Sequence, residues 1–84
     1  MNYAIFILRR AQKELARLSA EAYEQTKTAI WYLGQEPRPT GCQKLTGREG
    51  WRIRVGDYRV IYEIDDVQHT VTVLHVGHRR DVYR

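Results

Sequence analysis

Trp51-Arg52-Ile53-Arg54-Val55-Gly56-Asp57-Tyr58-Arg59-Val60-Ile61-Tyr62 reads as one β-hairpin, and its register decides the fold. A period of two puts Trp51, Ile53 and Val55 on one side of the first strand and Arg52 and Arg54 on the other. Gly56-Asp57 supplies a two-residue turn, with glycine in the first central position as a type II′ turn requires. That register sets Val55 opposite Tyr58, Arg54 opposite Arg59, and Arg52 opposite Ile61. Like charges directly opposite each other on a sheet cost roughly 0.2–1 kcal/mol. No acid in register relieves this pair, so the arginine face is built to meet a polyanion, read here as RNA.

Outward from the hairpin, the chain alternates element types in a simple order. Residues 2–8 are apolar on both pleat faces, as in a strand covered on both sides or an edge strand covered by helices. Ala11, Leu15 and Leu18 recur at helical spacing. Ser19 can cap a second helix, with Ala22, Thr26, Ala29, Ile30 and Leu33 as its buried stripe and Gly34 as its stop. Residues 35–50 form a long connection with little periodicity, containing Pro37, Pro39, Gly41, Gly47 and Gly50; in so small a domain such a loop points to function. Asp65 and Asp66 open the turn after the hairpin, and residues 70–76 form a nearly continuous apolar strand suited to a central position. The predicted fold is α+β, in the order β-α-α-β-β-β, with a helical hairpin on a small, mostly antiparallel sheet.

Eighty-four residues make one domain, 1–84, with a modest core. With 43% hydrophobic and 29% charged residues the chain is that of an ordinary globular protein, so wholesale disorder is excluded. The formal charge of +4 favours acidic partners. Arginine supplies most of it, and its planar fork suits phosphate better than a lysine ammonium. The single cysteine, Cys42, cannot form an internal disulfide, and no Cys/His spacing resembles a structural zinc site. The apolar run at residues 3–8 is too short for a membrane span and lacks the order of a signal peptide. A reducing cytoplasm is the expected location.

Three segments together carry a family likeness: Trp51-Arg52-Ile53-Arg54, Asp57-Tyr58-Arg59-Val60-Ile61-Tyr62, and Val76-Gly77-His78-Arg79-Arg80-Asp81-Val82-Tyr83. They resemble the RelE/ParE toxin superfamily over nearly the whole chain, and the last segment looks like the RelE branch. The resemblance implies a prokaryotic type II toxin that cuts messenger RNA in the ribosomal A site and is held inactive by a co-expressed, acidic RelB-like antitoxin. It also implies a ribonuclease with no metal or other cofactor, in which a ribose 2′-hydroxyl attacks the adjacent phosphate and leaves a 2′,3′-cyclic phosphate. A monomeric free toxin is expected from size and family.

Such a reaction needs a base near the 2′-hydroxyl, cations around the phosphate, and an acid for the leaving 5′-oxygen. Arg52, Arg54 and Arg59 can form a concave triple of guanidinium donors, which Arg79 joins if the tail folds back. By resemblance, Arg59 and Arg79 match phosphate-stabilising arginines, and Tyr83 matches a tyrosine that stacks on a base or orients the nucleophile. Some relatives carry lysines where this chain has Arg52 and Arg54. A guanidinium is a permanent cation and a poor base, so the proton must pass elsewhere. His78 is the first candidate, Glu49 the second and Tyr83 the third.

Structural readings compete with these. Arg52 and Arg54 could simply guard an edge strand against aggregation. Tyr58, Tyr62 and Trp51 read as core. His75 and His78 form an H-x-x-H pair that a strand end does not converge on a metal, and Cys42 reads as an incidental thiol. Arg9, Arg10, Lys13 and Arg17 read either as a solvated helix face or as contacts to ribosomal RNA. Two other functions remain open: a ParE-like inhibitor of DNA gyrase without nuclease activity, and a degenerate member that only binds RNA or antitoxin.

Overall fold

A computed structural model describes residues 2–78. Strand β1 (Ala4–Ile7) leads into helices α1 (Arg9–Ala16) and α2 (Ala20–Tyr32), followed by β2 (Gln43–Lys44), β3 (Trp51–Val55), β4 (Tyr58–Asp65) and β5 (Thr70–His78). The strands form one sheet in the order β1-β5-β4-β3-β2. Every neighbouring pair is antiparallel except β1 with β5. This is the α+β arrangement expected from the sequence, with one addition. The long connection contributes the short strand β2, which pairs Gln43 with Arg52 and Lys44 with Trp51.

The hairpin has the expected register, with Val55 opposite Tyr58, Arg54 opposite Arg59 and Arg52 opposite Ile61. Gly56 has φ 59° and Asp57 has no positive φ, the pattern of a turn that needs glycine at its first central position. One pleat face of the meander meets the helices. Ile53, Val60, Tyr62, Val71, Val73 and Val76 pack there against Ala11, Leu15, Ile30 and Leu33. Strand β5 lies between β1 and β4, as its apolar run predicts. Strand β1 is an edge: Ile5 and Ile7 pack against the core, while Phe6 and Leu8 are exposed on the other side.

The Ser19 hydroxyl accepts the Ala22 N–H at 3.2 Å, the cap expected for α2. Gly34 follows the helix for reasons of space. A Cβ there would lie 3.0 Å from the Tyr3 carbonyl oxygen and 3.2 Å from that of Trp31, both backbone atoms. The closeness is used, because the Tyr3 N–H donates to the Gly34 carbonyl at 2.6 Å and ties the first strand to the end of the helix.

The connection from α2 to β2 is held at two points. The Tyr62 hydroxyl donates to the Pro37 carbonyl at 2.7 Å in the buried interior. Arg38 makes a two-pronged contact to Asp66, at 3.2 and 2.9 Å, and the Tyr3 hydroxyl donates to the same carboxylate at 2.6 Å. Hydrogen bonds from Arg38 and then Tyr3 hold the Asp66 carboxyl at a pKa of about 2. Arg38 also lies over the Trp51 ring, 5.0 Å from its centroid, and Lys44 lies 5.5 Å from it. Two cations thus cover the half-buried indole at the start of β3 and fix the path of the chain into β2.

Candidate nucleic-acid interface

The pleat face opposite the core carries Arg52 and Arg54 on β3 and Arg59 and Ile61 on β4. Ile61 pairs onward with His75 of β5, so Arg52, Ile61 and His75 form one row across the sheet. Arg54, Arg59 and Gly77 form the next row. Three of the arginines and histidines expected to act together are therefore on one surface, and a histidine not expected there joins them.

Arg52 is the most unusual of these residues. It is 3% exposed, and its Nη2 donates to Oε1 of Gln43, its partner across the β2–β3 ladder. Among the described residues no carboxylate lies within ion-pair distance of it. A desolvated cation without an opposite charge is expensive to bury, by several kcal/mol in typical proteins. The amide of Gln43 meets only one of its five N–H groups. The short strand β2, invisible in the sequence pattern, exists in the structure where it can supply that amide.

Beside Arg52 lies a cleft of about 350 Å³, lined also by Arg10, Lys44, Arg48, Ile61 and His75. That volume falls within the usual range for small-ligand sites, about 300–1,000 Å³. The cations converge from separate segments: α1, β2, the β2–β3 loop and β3. Arg10 continues onto a shallow depression of α1 bordered also by Arg9, Lys13, Glu14 and Arg17, four cations and one carboxylate in all. No acidic residue occupies the first turn of α1. The positive end of the helix dipole therefore adds to the same field. The basic helix face and the arginine cleft form one continuous track.

Arg54 is exposed and Arg59 half-buried. They are direct partners across the β3–β4 ladder, as the sequence register requires. His78 takes a different position. It pairs with Tyr58 on the other pleat face, its ring edge-on to the tyrosine at 5.8 Å and 83°. The structure does not bring His78 onto the arginine surface. Glu49 is 90% exposed and pairs with Lys44 at 3.6 Å, at the rim. Arg79 and Tyr83 lie outside the described residues.

Four residues of this interface escape the sequence reading: Glu14, Gln43, Arg10 in its cleft-lining role, and His75. The last depends on a β-bulge. Ile61 pairs with His75 but Tyr62 pairs with Val73, so β5 carries one extra residue, Leu74. Strand β1 pairs no further than Val73, which leaves the β5 edge open beyond it. Glu14 of α1 fills that edge. Its carboxylate accepts the Val76 N–H at 2.9 Å and lies 2.8 and 2.6 Å from His75 Nδ1. Arg10 contacts the same carboxylate at 3.4 Å. Glu14 falls off the helical stripe of Ala11, Leu15 and Leu18, and one-dimensional spacing does not show an open strand edge.

Among the described residues no cluster of three or more His, Cys, Asp or Glu could hold a metal ion. No helix among them is long and apolar enough to cross a membrane.

Comparison with known proteins gives a consistent result. The family model described as ParE toxin of type II toxin-antitoxin system, parDE, matches residues 5–83. A curated Mycobacterium tuberculosis protein, Toxin RelE, is 52% identical over 84 residues, spanning 98% of this chain and 87% of the relative. The archaeal RelE–RelB complex from Pyrococcus horikoshii superposes with a TM-score of 0.85 at 28% identity, covering 98% of this chain and all of the matched one. The RelBE2 toxin–antitoxin complex of Mycobacterium tuberculosis gives 0.82 at 29% identity, covering 94% of this chain and 100% of that chain.

Proposed function

The chain belongs to the ParE toxin family of type II toxin–antitoxin systems and is a RelE-like toxin; from that premise we propose that it is a ribosome-dependent endoribonuclease. The carrying observation is the buried Arg52 guanidinium, which has no acidic partner among the described residues and borders a cleft of further cations. An unpaired, pre-placed cation gains most when a phosphate enters and most again when that phosphate becomes more negative in the transition state.

In this reading the 2′-hydroxyl of one ribose attacks the adjacent phosphate, and the 5′-oxygen leaves. Arg52, Arg54 and Arg59 hold the phosphate and its developing charge, joined by Arg79. Tyr83 stacks on or orients a base, an interaction worth about 1–3 kcal/mol per base. The basic face of α1, from Arg9 to Arg17, contacts ribosomal RNA. The message is cut in the A site, in the cytoplasm, and no metal takes part.

The antitoxin follows from the family, since two of the similar structures are toxin–antitoxin complexes with RelB-type partners. The partner proposed here is acidic and RelB-like, complementary to a chain of net charge +4. The free toxin is taken to be a monomer.

The test is primer extension on a message translated in a cell-free system, comparing the toxin with its Arg59→Ala variant. Translation-dependent cuts at A-site codons, absent in the variant, support the nuclease. The family model's ParE description gives the competing reading. An intact message together with blocked DNA supercoiling by gyrase would replace the nuclease with a ParE-like inhibitor.

A further inference from the structure

The geometry points to His75, held by Glu14, as the proton-transfer group of the arginine cleft. This rests on the nuclease reading and deepens it by naming a base that the arginines cannot supply.

A carboxylate only accepts hydrogen bonds, so the contact between Glu14 and His75 places a proton on Nδ1. The other ring nitrogen, Nε2, is then left with its lone pair when the imidazole is neutral. It makes no hydrogen bond among the described residues, and it is not one of the polar atoms sealed from solvent without a partner. His75 is among the residues that line the cleft beside Arg52. A base needs one nitrogen fixed by an acid and the other left open, and His75 meets both conditions at the wall of the cleft.

The surroundings are specific to this purpose. The β5 bulge at Leu74 turns His75 into the row of Arg52 and Ile61, and bulges are a common means of re-aiming one side chain beside an active site. Glu14 is fixed in turn by the Val76 N–H and by Arg10. Among the described residues, Glu14 of α1 contacts the imidazole, and the charged groups that line the cleft with His75 are Arg10 from α1, Lys44 from β2, Arg48 from the loop, and Arg52 from β3. The cations hold the phosphate while Glu14 balances the imidazolium that forms.

In the proposed step His75 Nε2 takes the proton of the 2′-hydroxyl as the O2′–P bond forms. The P–O5′ bond breaks, and the leaving 5′-oxygen takes a proton from water. The hydroxide so formed recovers the proton from the imidazolium. The products are a 2′,3′-cyclic phosphate and a 5′-hydroxyl, and nothing is oxidised or reduced. Glu14 acts through His75 and is a positioning residue.

The test is single-turnover cutting of a translated message in the cell-free system by wild type, His75→Ala, His75→Gln and Glu14→Gln, each with a thermal melt. General-base catalysis is worth about 10²–10⁴-fold, so His75→Ala and His75→Gln should lose at least about 100-fold. Imidazole added to the buffer should restore His75→Ala by about tenfold or more, which a lost structural contact would not allow. Glu14→Gln keeps an acceptor for Val76 and should lose about tenfold. Nitrogen-15 NMR should then show the His75 Nδ1–H tautomer of the wild type replaced by a mixture. If His75→Ala does not fold, His75→Gln, which keeps a donor toward Glu14, provides the reading. Folded variants that cut within about threefold of wild type would overturn the inference while leaving the nuclease intact. Loss of cutting without imidazole rescue would reduce His75 to an anchor for α1 and overturn it too. A wild-type protein that cuts no message would remove the nuclease reading, and this inference with it.

Discussion

Arg54 and Arg59 stand directly opposite each other across the β3–β4 ladder, on the pleat face that Arg52 shares. Arg54 is exposed and has no ion pair among the described residues, so nothing offsets the repulsion on its side. Replacing Arg54 by threonine removes the repulsion and installs a good strand former. The variant should be more stable by a few tenths to about 1 kcal/mol in denaturant unfolding. Its message cutting should fall at least about tenfold, because one phosphate donor is gone. Opposite signs for stability and activity are the expected mark of a residue kept for function.

The same logic applies more strongly to Arg52. Its desolvated guanidinium is met only by Gln43 among the described residues. Arg52→Met keeps the length of the side chain and removes the buried charge. Replacing buried ions by apolar groups of similar volume is often neutral or stabilising, by about 1–4 kcal/mol where it stabilises. Arg52→Met should therefore melt at or above the wild-type temperature while losing cutting of a translated message. A large drop in melting temperature would mean that the cation holds the fold together.

Tyr62 links the core to the connection that carries Gln43 and Lys44. Its ring is fully buried, and its hydroxyl donates to the Pro37 carbonyl. Burial raises the pKa of its phenol well above the usual value, so the donor is not lost in any ordinary buffer. Tyr62→Phe leaves a buried carbonyl without its partner, at a cost of about 1–3 kcal/mol. Urea unfolding should show that loss. Amide exchange should show faster opening at residues 38–44 than in β4 and β5, because the anchor belongs to the connection.

The hairpin was legible because its period, turn glycine and lack of in-register acid all agree, and the observed register matches residue for residue. The Ser19 cap and the apolar stripe of α2 were legible for the same reason. Local rules act within a few residues. The interface was only half legible. Arg52 and Arg54 follow from alternation, but the burial of Arg52 depends on β2, two residues long and without a pattern of its own. His75 reads as one of an alternating run until the extra residue at Leu74 is known. Glu14 reads as solvent-facing until the end of β1 leaves an edge for it to fill. His78 reads as the first candidate for moving the proton because an imidazole can act near neutral pH, yet pairing with Tyr58 sets it on the opposite face. Each of these depends on a contact between separate elements, nine residues apart for Gln43 and Arg52 and 61 for Glu14 and His75, which spacing along the chain does not encode.

Asp66 accepts hydrogen bonds from Arg38 and from Tyr3, and these hold its pKa at about 2 against 3.8 for the free carboxyl. A folded-state value below the unfolded one means that the folded protein binds fewer protons there in acid. The tether is fully present above about pH 4, and its contribution is lost as the pH falls through the folded value near 2. Both partners lie at the surface, so the effect on global stability is small and screened by salt. The local effect is larger, because Arg38 also covers Trp51. Asp66→Asn at neutral pH should reproduce what acid does to the wild type: faster amide exchange at residues 36–42 and a shifted tryptophan emission from Trp51. A side-chain carboxyl carbon titration by NMR should give Asp66 a midpoint near 2. Raising the salt to 1 M should weaken the contact to Arg38 more than the one to Tyr3. If Asp66 titrates near 3.8 and the exchange of residues 36–42 does not change in the variant, the tether does not exist in solution, and the connection is held by Tyr62 alone.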